Sequence, residues 1–391
     1  MPRAIAIMAL AVLAHAATAQ TVVKLDGGRC PLVDGKPFFA IGIYSTGVSD
    51  FPLLAEAGFN LVHTYGWEGK AGHEWGQEWL DAVQAHGLKA LISFYRPDIK
   101  QSQFAESEKR IAMYHTHPAL LAWHTMDEPG WEKETDHGEQ YMPAIYQVIK
   151  RDDADHPVTA VICHFADAAR FANSMDILQA DYYPIPPLPA INFSGTGFAG
   201  IARYAELWRE ATGGQKPYWF VCQAFDYARM RQDKDIPPEW QRFPTLQELR
   251  TMTYTAVAAG ARGVLYWSLS RLRSEGREGG PTADEYFARL RTVTKELQTL
   301  LPVLTAQTPE TLVQQDRTVS LVKSDGQDVY VIIANMERRP THTTLAVPGV
   351  TDAKAGPMFG EGSAPVTAGQ LTLDLDSLES RVYRVPQAGA Q

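Results

Sequence analysis

A chain of 391 residues exceeds the roughly 250–300 that one hydrophobic core sustains, so one large domain plus a small one is the natural division. Its composition, 45% hydrophobic and 21% charged, is that of a globular protein, and no stretch past the amino terminus is apolar enough to span a membrane. The net charge of −9 argues against nucleic acid, which needs basic patches, and is compatible with a neutral substrate.

Residues 1–19 read as a secretory leader. Arg3 supplies the positive start, residues 4–14 a short apolar run, and Ala17-Thr18-Ala19 a small-x-small cleavage site that leaves Gln20 first. Export to the periplasm or the medium follows. Only Cys30, Cys163 and Cys222 are present, too few and odd in number for a disulfide framework. Cys163 and Cys222 sit in strand-like runs, where cysteine acts as a small hydrophobe.

Turn residues Asp26-Gly27-Gly28 and Asp34-Gly35 mark an amino-terminal hairpin suited to plugging a barrel. Short apolar runs then alternate with amphipathic ones. The runs cover residues 38–44, 60–65, 89–95, 120–126, 158–164, 177–183, 218–225 and 263–269, nearly all apolar as in strands buried on both faces. Helical patterns include 77–85, 103–115, 141–151, 201–211 and 246–259, the last opened by a Thr245/Glu248 capping box. Thr282 opens another, to about residue 301. Eight strand–helix repeats point to a closed (β/α)8 TIM barrel, over residues 20–304 with the hairpin. An open doubly wound sheet would show a Gly-rich phosphate turn after its first strand, and Tyr44-Ser45-Thr46-Gly47 is not one. Past Leu304 the period becomes two, with strands at 318–323, 329–335, 343–347, 371–375 and 381–385: a small antiparallel β-sandwich over 305–391.

Active sites of such barrels lie where the strands end. There the sequence places Tyr65, Tyr95, Trp123, Asp127, Glu128, His164, Asp181, Tyr183, Gln223 and Trp267. Aromatic faces stack on sugar C–H groups while polar neighbours bond hydroxyls, so Tyr65, Tyr95, Trp123, His164, Tyr183, Gln223 and Trp267 are the candidate substrate contacts. Glu128, Asp181 and Asp127 are the candidate catalytic carboxyls. Each has a plainer role open to it: helix capping for Asp127 and Glu128, core packing for an aromatic, a buried structural role for His63, His124 or His164. Their coincidence on one predicted face favours chemistry. No ligand-spacing motif supports a metal, and no cofactor is implied.

At residues 123–129, Trp-His-Thr-Met-Asp-Glu-Pro, the sequence resembles the clan A glycoside hydrolases. In that clan the fourth strand ends in an Asn-Glu-Pro-like motif whose Glu is the acid/base, which implies that role for Glu128. Trp267 resembles the clan's subsite aromatic, and the likeness runs over residues 38–301. Asp127 stands where the motif has Asn. The seventh strand departs further: the clan's nucleophilic Glu is Gln223 here, and an amide cannot form a glycosyl ester. Three substitutes are open, in this order: Asp181; Asp127, since the Asp127-Glu128 pair resembles that of β-N-acetylhexosaminidases, where the substrate's acetamido group is the nucleophile; and Asp226. The expected activity is hydrolysis of an oligo- or polysaccharide, with a substrate-assisted hexosaminidase and a non-catalytic carbohydrate-binding protein as alternatives. Arg229, Arg231, Arg271 and Arg273, in long loops after strands seven and eight, would suit an acidic sugar.

Overall fold

The computed structural model describes residues 20–63, 65, 73–129, 137–187, 197–231, 236–274, 282–360 and 362–387; the proposed leader lies outside them. Eight parallel strands close into a barrel: β1 (Ala40–Ile43), β2 (Leu61–His63), β3 (Lys89–Ser93), β4 (Leu120–Asp127), β5 (Val158–Ile162), β6 (Ile177–Asp181), β7 (Tyr218–Gln223) and β8 (Gly263–Trp267). β8 pairs with β1, Tyr266 opposite Ile43, and completes the ring.

Two apolar shells follow from the alternation of side chains along each strand. Leu61, Leu91, Leu121, Val161, Ile177, Trp219, Val221 and Leu265 fill the lumen. Ile41, Val62, Ile92, Trp123, Ile162, Leu178, Phe220 and Tyr266 face the surrounding helices. The short amino-terminal sheet puts Val23 and Val33 against the luminal cluster, as a plug would.

The helices match the sequence pattern closely where caps mark them. Thr245 accepts from Glu248 N at 3.2 Å and Glu248 bonds Thr245 N at 2.8 Å, opening the helix Leu246–Ala258. Thr282 opens Ala283–Thr305 with the same box, and that helix runs on through Pro302. The short helices Arg96–Lys100, Phe165–Arg170, Tyr227–Arg231 and Leu269–Ser274, each a turn or two after a strand, are additions that periodicity cannot resolve at such length. Among the described residues no helix is long and apolar enough to cross a membrane.

Among the described residues the carboxyl-terminal unit has eight strands, three more than the sequence pattern predicts: β9 (Glu310–Gln314), β10 (Thr318–Ser324), β11 (Asp328–Asn335), β12 (Thr341–Ala346), β13 (Ala353–Pro357), β14 (Ala364–Thr367), β15 (Gln370–Leu375) and β16 (Ser380–Pro386). The additions are β9, β13 and β14. β9 is an edge strand of mostly half-buried residues, and the other two are short and rich in Ala, Gly and Pro, so none carries a strong alternating pattern.

Candidate active site

Below the carboxyl ends of the strands lies a polar floor. His63 Nε2 meets Ser93 Oγ at 2.6 Å, and Gln179 Nε2 reaches Thr159 Oγ1 at 2.9 Å and His124 Nδ1 at 3.2 Å. The Tyr44 hydroxyl bonds Gln179 Oε1. Burial pushes the His63 imidazole well below its ordinary range and His124 down to about 3, so both are neutral at physiological pH. For these two histidines the structural role is the one the geometry supports.

Above the floor three carboxyls converge. The β4–β5 register shifts between His124 and Asp127, a bulge that re-aims the end of β4. Glu128 N then donates to Val161 O at 3.0 Å, and Glu128 adopts φ 54°, the left-handed region that a non-glycine residue enters only when held. The following Pro129 disfavours right-handed helical backbone there. Glu128 thereby comes within hydrogen-bonding reach of Asp181, from β6, and of Cys163, just past β5.

Asp181 Oδ2 accepts from the Tyr183 hydroxyl at 3.0 Å. Its Oδ1 is buried and finds no donor while both carboxyls are ionised. One proton on the pair resolves this, because the protonated member then donates to the other. Electrostatics agree. Burial, then the Asp127 charge, raises Glu128 to about 7, and burial with the Glu128 charge pushes Asp181 well above the carboxylate range. Asp127 is raised too, by burial, against the pull of the Arg96 guanidinium and the Tyr65 hydroxyl, which donates to it at 3.1 Å.

Aromatic rings wall the cluster. Tyr65 stacks on Tyr44 at 5.8 Å. Tyr183 meets Phe225 edge-on at 4.8 Å, and Trp267 packs perpendicular to the same Phe225 at 4.9 Å, 6.3 Å from Tyr183. The half-buried Tyr65, Tyr183 and Trp267 therefore sit together beside Asp127, Glu128 and Asp181. His164, half-buried, is the residue before the helix Phe165–Arg170. Tyr95 stands exposed before the helix Arg96–Lys100, and no contact among the described residues ties it to the carboxyls.

Two expected substrate contacts are corrected. Trp123 is fully buried on the helix side of the barrel, stacked on Phe94 at 5.3 Å and donating to Asp153 Oδ2 at 2.7 Å. Its neighbour His124 takes the inward position, and adjacent strand residues cannot share a face. Gln223 is inward but fully buried: its Nε2 donates to Ile185 O at 2.7 Å and Phe225 O at 3.2 Å, and its Oε1 accepts from Ile185 N at 3.2 Å. A glutamate there would aim a buried charge at two carbonyl oxygens. Gln223→Glu is therefore expected to destabilise the fold by at least about 2 kcal/mol without adding a nucleophile. Thermal denaturation checks this, and a variant that melts normally and turns over faster would overturn it.

Asp226 is likewise committed, its Oδ1 accepting from Ala228 N at 3.0 Å and Arg229 N at 3.4 Å at the start of a helix. Of the loop arginines, Arg273 pairs with the buried Asp50 at 2.5 Å and Arg271 lies 5.6 Å over Trp267, while the Arg231 side chain falls outside the described residues. Cys163 and Arg96 are site residues the sequence pattern did not single out; their only signal is a place at a strand end. Among the described residues no group of three His, Cys, Asp or Glu side chains is placed to hold a metal.

No protein-family model matches the chain, and no curated protein matches it. Solved structures do. A family 5 glycoside hydrolase from Bacteroides vulgatus is similar with a TM-score of 0.67 at 15% identity, over 94% of each chain. A family 27 β-L-arabinopyranosidase from Geobacillus stearothermophilus, in complex with arabinose, gives 0.60 at 12% identity, over 89% of this chain and 97% of that one. A family 30 endoxylanase from Clostridium papyrosolvens gives 0.54 at 12% identity, over 94% and 100%. The fold is one that glycoside hydrolases use. Function must be argued from the site.

Proposed function

We propose that this protein is a glycoside hydrolase cleaving O-glycosidic bonds of an oligo- or polysaccharide, with Glu128 and Asp181 as its catalytic carboxyl pair. One observation carries the reading: the half-buried Glu128 at the end of β4 and the buried Asp181 of β6 come together in a cup walled by Tyr65, Tyr183 and Trp267, where burial and neighbouring carboxylates favour the protonated form of each. A proton held there serves the leaving glycosidic oxygen, with Glu128, nearer the opening, as donor. The negative charge left on the pair once that proton has gone then stabilises positive charge developing at the anomeric carbon. The fold likeness to several glycoside hydrolases is in keeping with this.

Glycosidase carboxyls usually stand ~5 Å apart for retention or ~6.5–9.5 Å for inversion. Glu128 and Asp181 in contact are closer, so sugar must part them or bind beside them. A second reading therefore stands on Asp127. Tyr65 anchors its carboxylate next to Glu128, as an enzyme would anchor the group that orients a substrate acetamide, and no nucleophile comes from β7. In that route Glu128 remains the acid and the substrate's own carbonyl attacks.

A panel of nitrophenyl hexosides, nitrophenyl N-acetylhexosaminides and polysaccharides, with product anomers followed by NMR, tests both. Turnover of N-acetyl sugars alone selects the second reading. Binding without turnover across the panel sinks both and leaves a carbohydrate-binding protein. We also propose export, with residues 1–19 as the cleaved leader; a mature protein that still begins at Met1 would refute it.

A further inference from the structure

Among the contacts between the sandwich and the barrel, such as Thr251 Oγ1 donating to Leu378 O and the Arg262–Glu310 pair, one guanidinium reaches two site-forming loops at once. Arg338 lies between β11 and β12. Its Nη2 donates to Glu248 Oε1 at 2.9 Å. The same guanidinium carbon lies 4.7 Å from the centroid of the Trp240 ring and 5.7 Å from that of Phe198. Trp240 belongs to the segment that follows β7, and Phe198 to the segment that follows β6 and opens the helix Ala199–Thr212. These are the connections that leave Gln223 and Asp181.

Glu248 anchors the arrangement. It is buried, yet it accepts from Arg242 Nη1 at 2.7 Å and Nη2 at 3.0 Å, from Thr245 N at 2.8 Å, and from Arg338. Although burial acts to raise it, these donors hold its carboxyl down to about 2, so it stays charged and paired at any working pH. Arg242 also lies over Trp240, at 5.2 Å, so the indole has a guanidinium from each domain against it. Trp240 in turn packs on the apolar cluster of Phe225, Tyr227 and Ile236, which continues to Tyr183 and Trp267. Contact is therefore unbroken from the second domain to the rings beside Asp181.

We infer that Arg338 is a positioning residue for substrate binding: it clamps the backs of the β6 and β7 connections, so that the sandwich domain sets the aromatic wall of the site. A planar fork that stacks and donates together does this, and an ammonium cannot. The effect on affinity rests on the glycosidase reading above; the clamp itself does not.

The test uses the full chain with Arg338→Met and Arg338→Lys, read by hydrogen exchange and by kinetics on the nitrophenyl glycosides. Arg338→Met is expected to speed amide exchange in residues 236–245 and 198–204 by more than about tenfold, with β4 and β6 unchanged. KM should rise about tenfold while kcat stays within about twofold. Arg338→Lys, which keeps the charge on Glu248 but loses the stacking, should fall between. Unchanged exchange in both segments overturns the clamp. Faster exchange with kcat and KM both intact reduces Arg338 to a domain staple and overturns the positioning role. If Glu128→Gln hydrolyses normally, the glycosidase reading fails on its own, and the exchange result still decides the clamp.

Discussion

Glu128→Gln is expected to lower kcat by at least about a thousandfold on any substrate with a poor leaving group, while substrate binding survives. The amide keeps the size and most hydrogen bonds of the protonated acid but has no proton to give. Glu128 is the one carboxyl of the cluster that the backbone is bent to deliver: a register shift in β4 and a left-handed φ of 54° both serve its placement. Activated aryl glycosides with acidic phenol leaving groups need less protonation, so they should lose far less. A uniform loss across leaving groups would mean that Glu128 acts by some route other than acid catalysis. Normal turnover would remove it from the chemistry altogether.

Asp181→Asn should abolish or cripple turnover and, at neutral pH, make the protein more stable. The two carboxyls share a proton because each is buried against the other. With Asn at 181 the amide donates to Glu128 as a protonated Asp181 does, while burial and the Asp127 charge, which raise Glu128, remain. Any residual activity should therefore keep its alkaline limb close to the parent's, which the Glu128 value of about 7 sets. The stability effect has a definite sign. A carboxyl raised in the fold binds its proton more tightly there than in the unfolded chain. Its contribution is full below the unfolded value of 4.5 and is lost as pH rises towards the folded value of about 7. For Glu128 alone that loss is on the order of 3 kcal/mol. Denaturation midpoints at pH 5 and pH 8 for parent and variant check this. A variant less stable than the parent at pH 8 would show that the pair is not held under electrostatic stress.

The barrel was legible because its strands are continuous apolar runs separated by capped helices, and Thr245 and Thr282 announce two of those helices from four residues each. The carboxyl cluster was legible because strand ends are the working face of this architecture. Residues 123 and 124 were not separated: which of two neighbours faces the lumen depends on register, and the β3–β4 pairing skips Leu121 and so resets that register just before them. Gln223 was legible as inward-facing, but its engagement by Ile185, which lies on a different connection, is a tertiary fact with no local signature. Cys163 reaches Glu128 for the same reason, through a neighbour across the sheet rather than along it.

The histidines beneath the carboxyls give the fold a second, opposing dependence on acidity. His124 titrates near 3 in place of 6.5, because a charged imidazole in that floor would be stranded from water. The unfolded chain therefore takes up that proton first, and stability drains away as pH falls below 6.5, just as the carboxyls drain it when pH rises above 4.5. Between those limits the two dependences oppose one another. The molecule should consequently be sturdiest in mildly acidic surroundings and weaken towards either extreme, a tolerance range set from inside the barrel rather than by its surface.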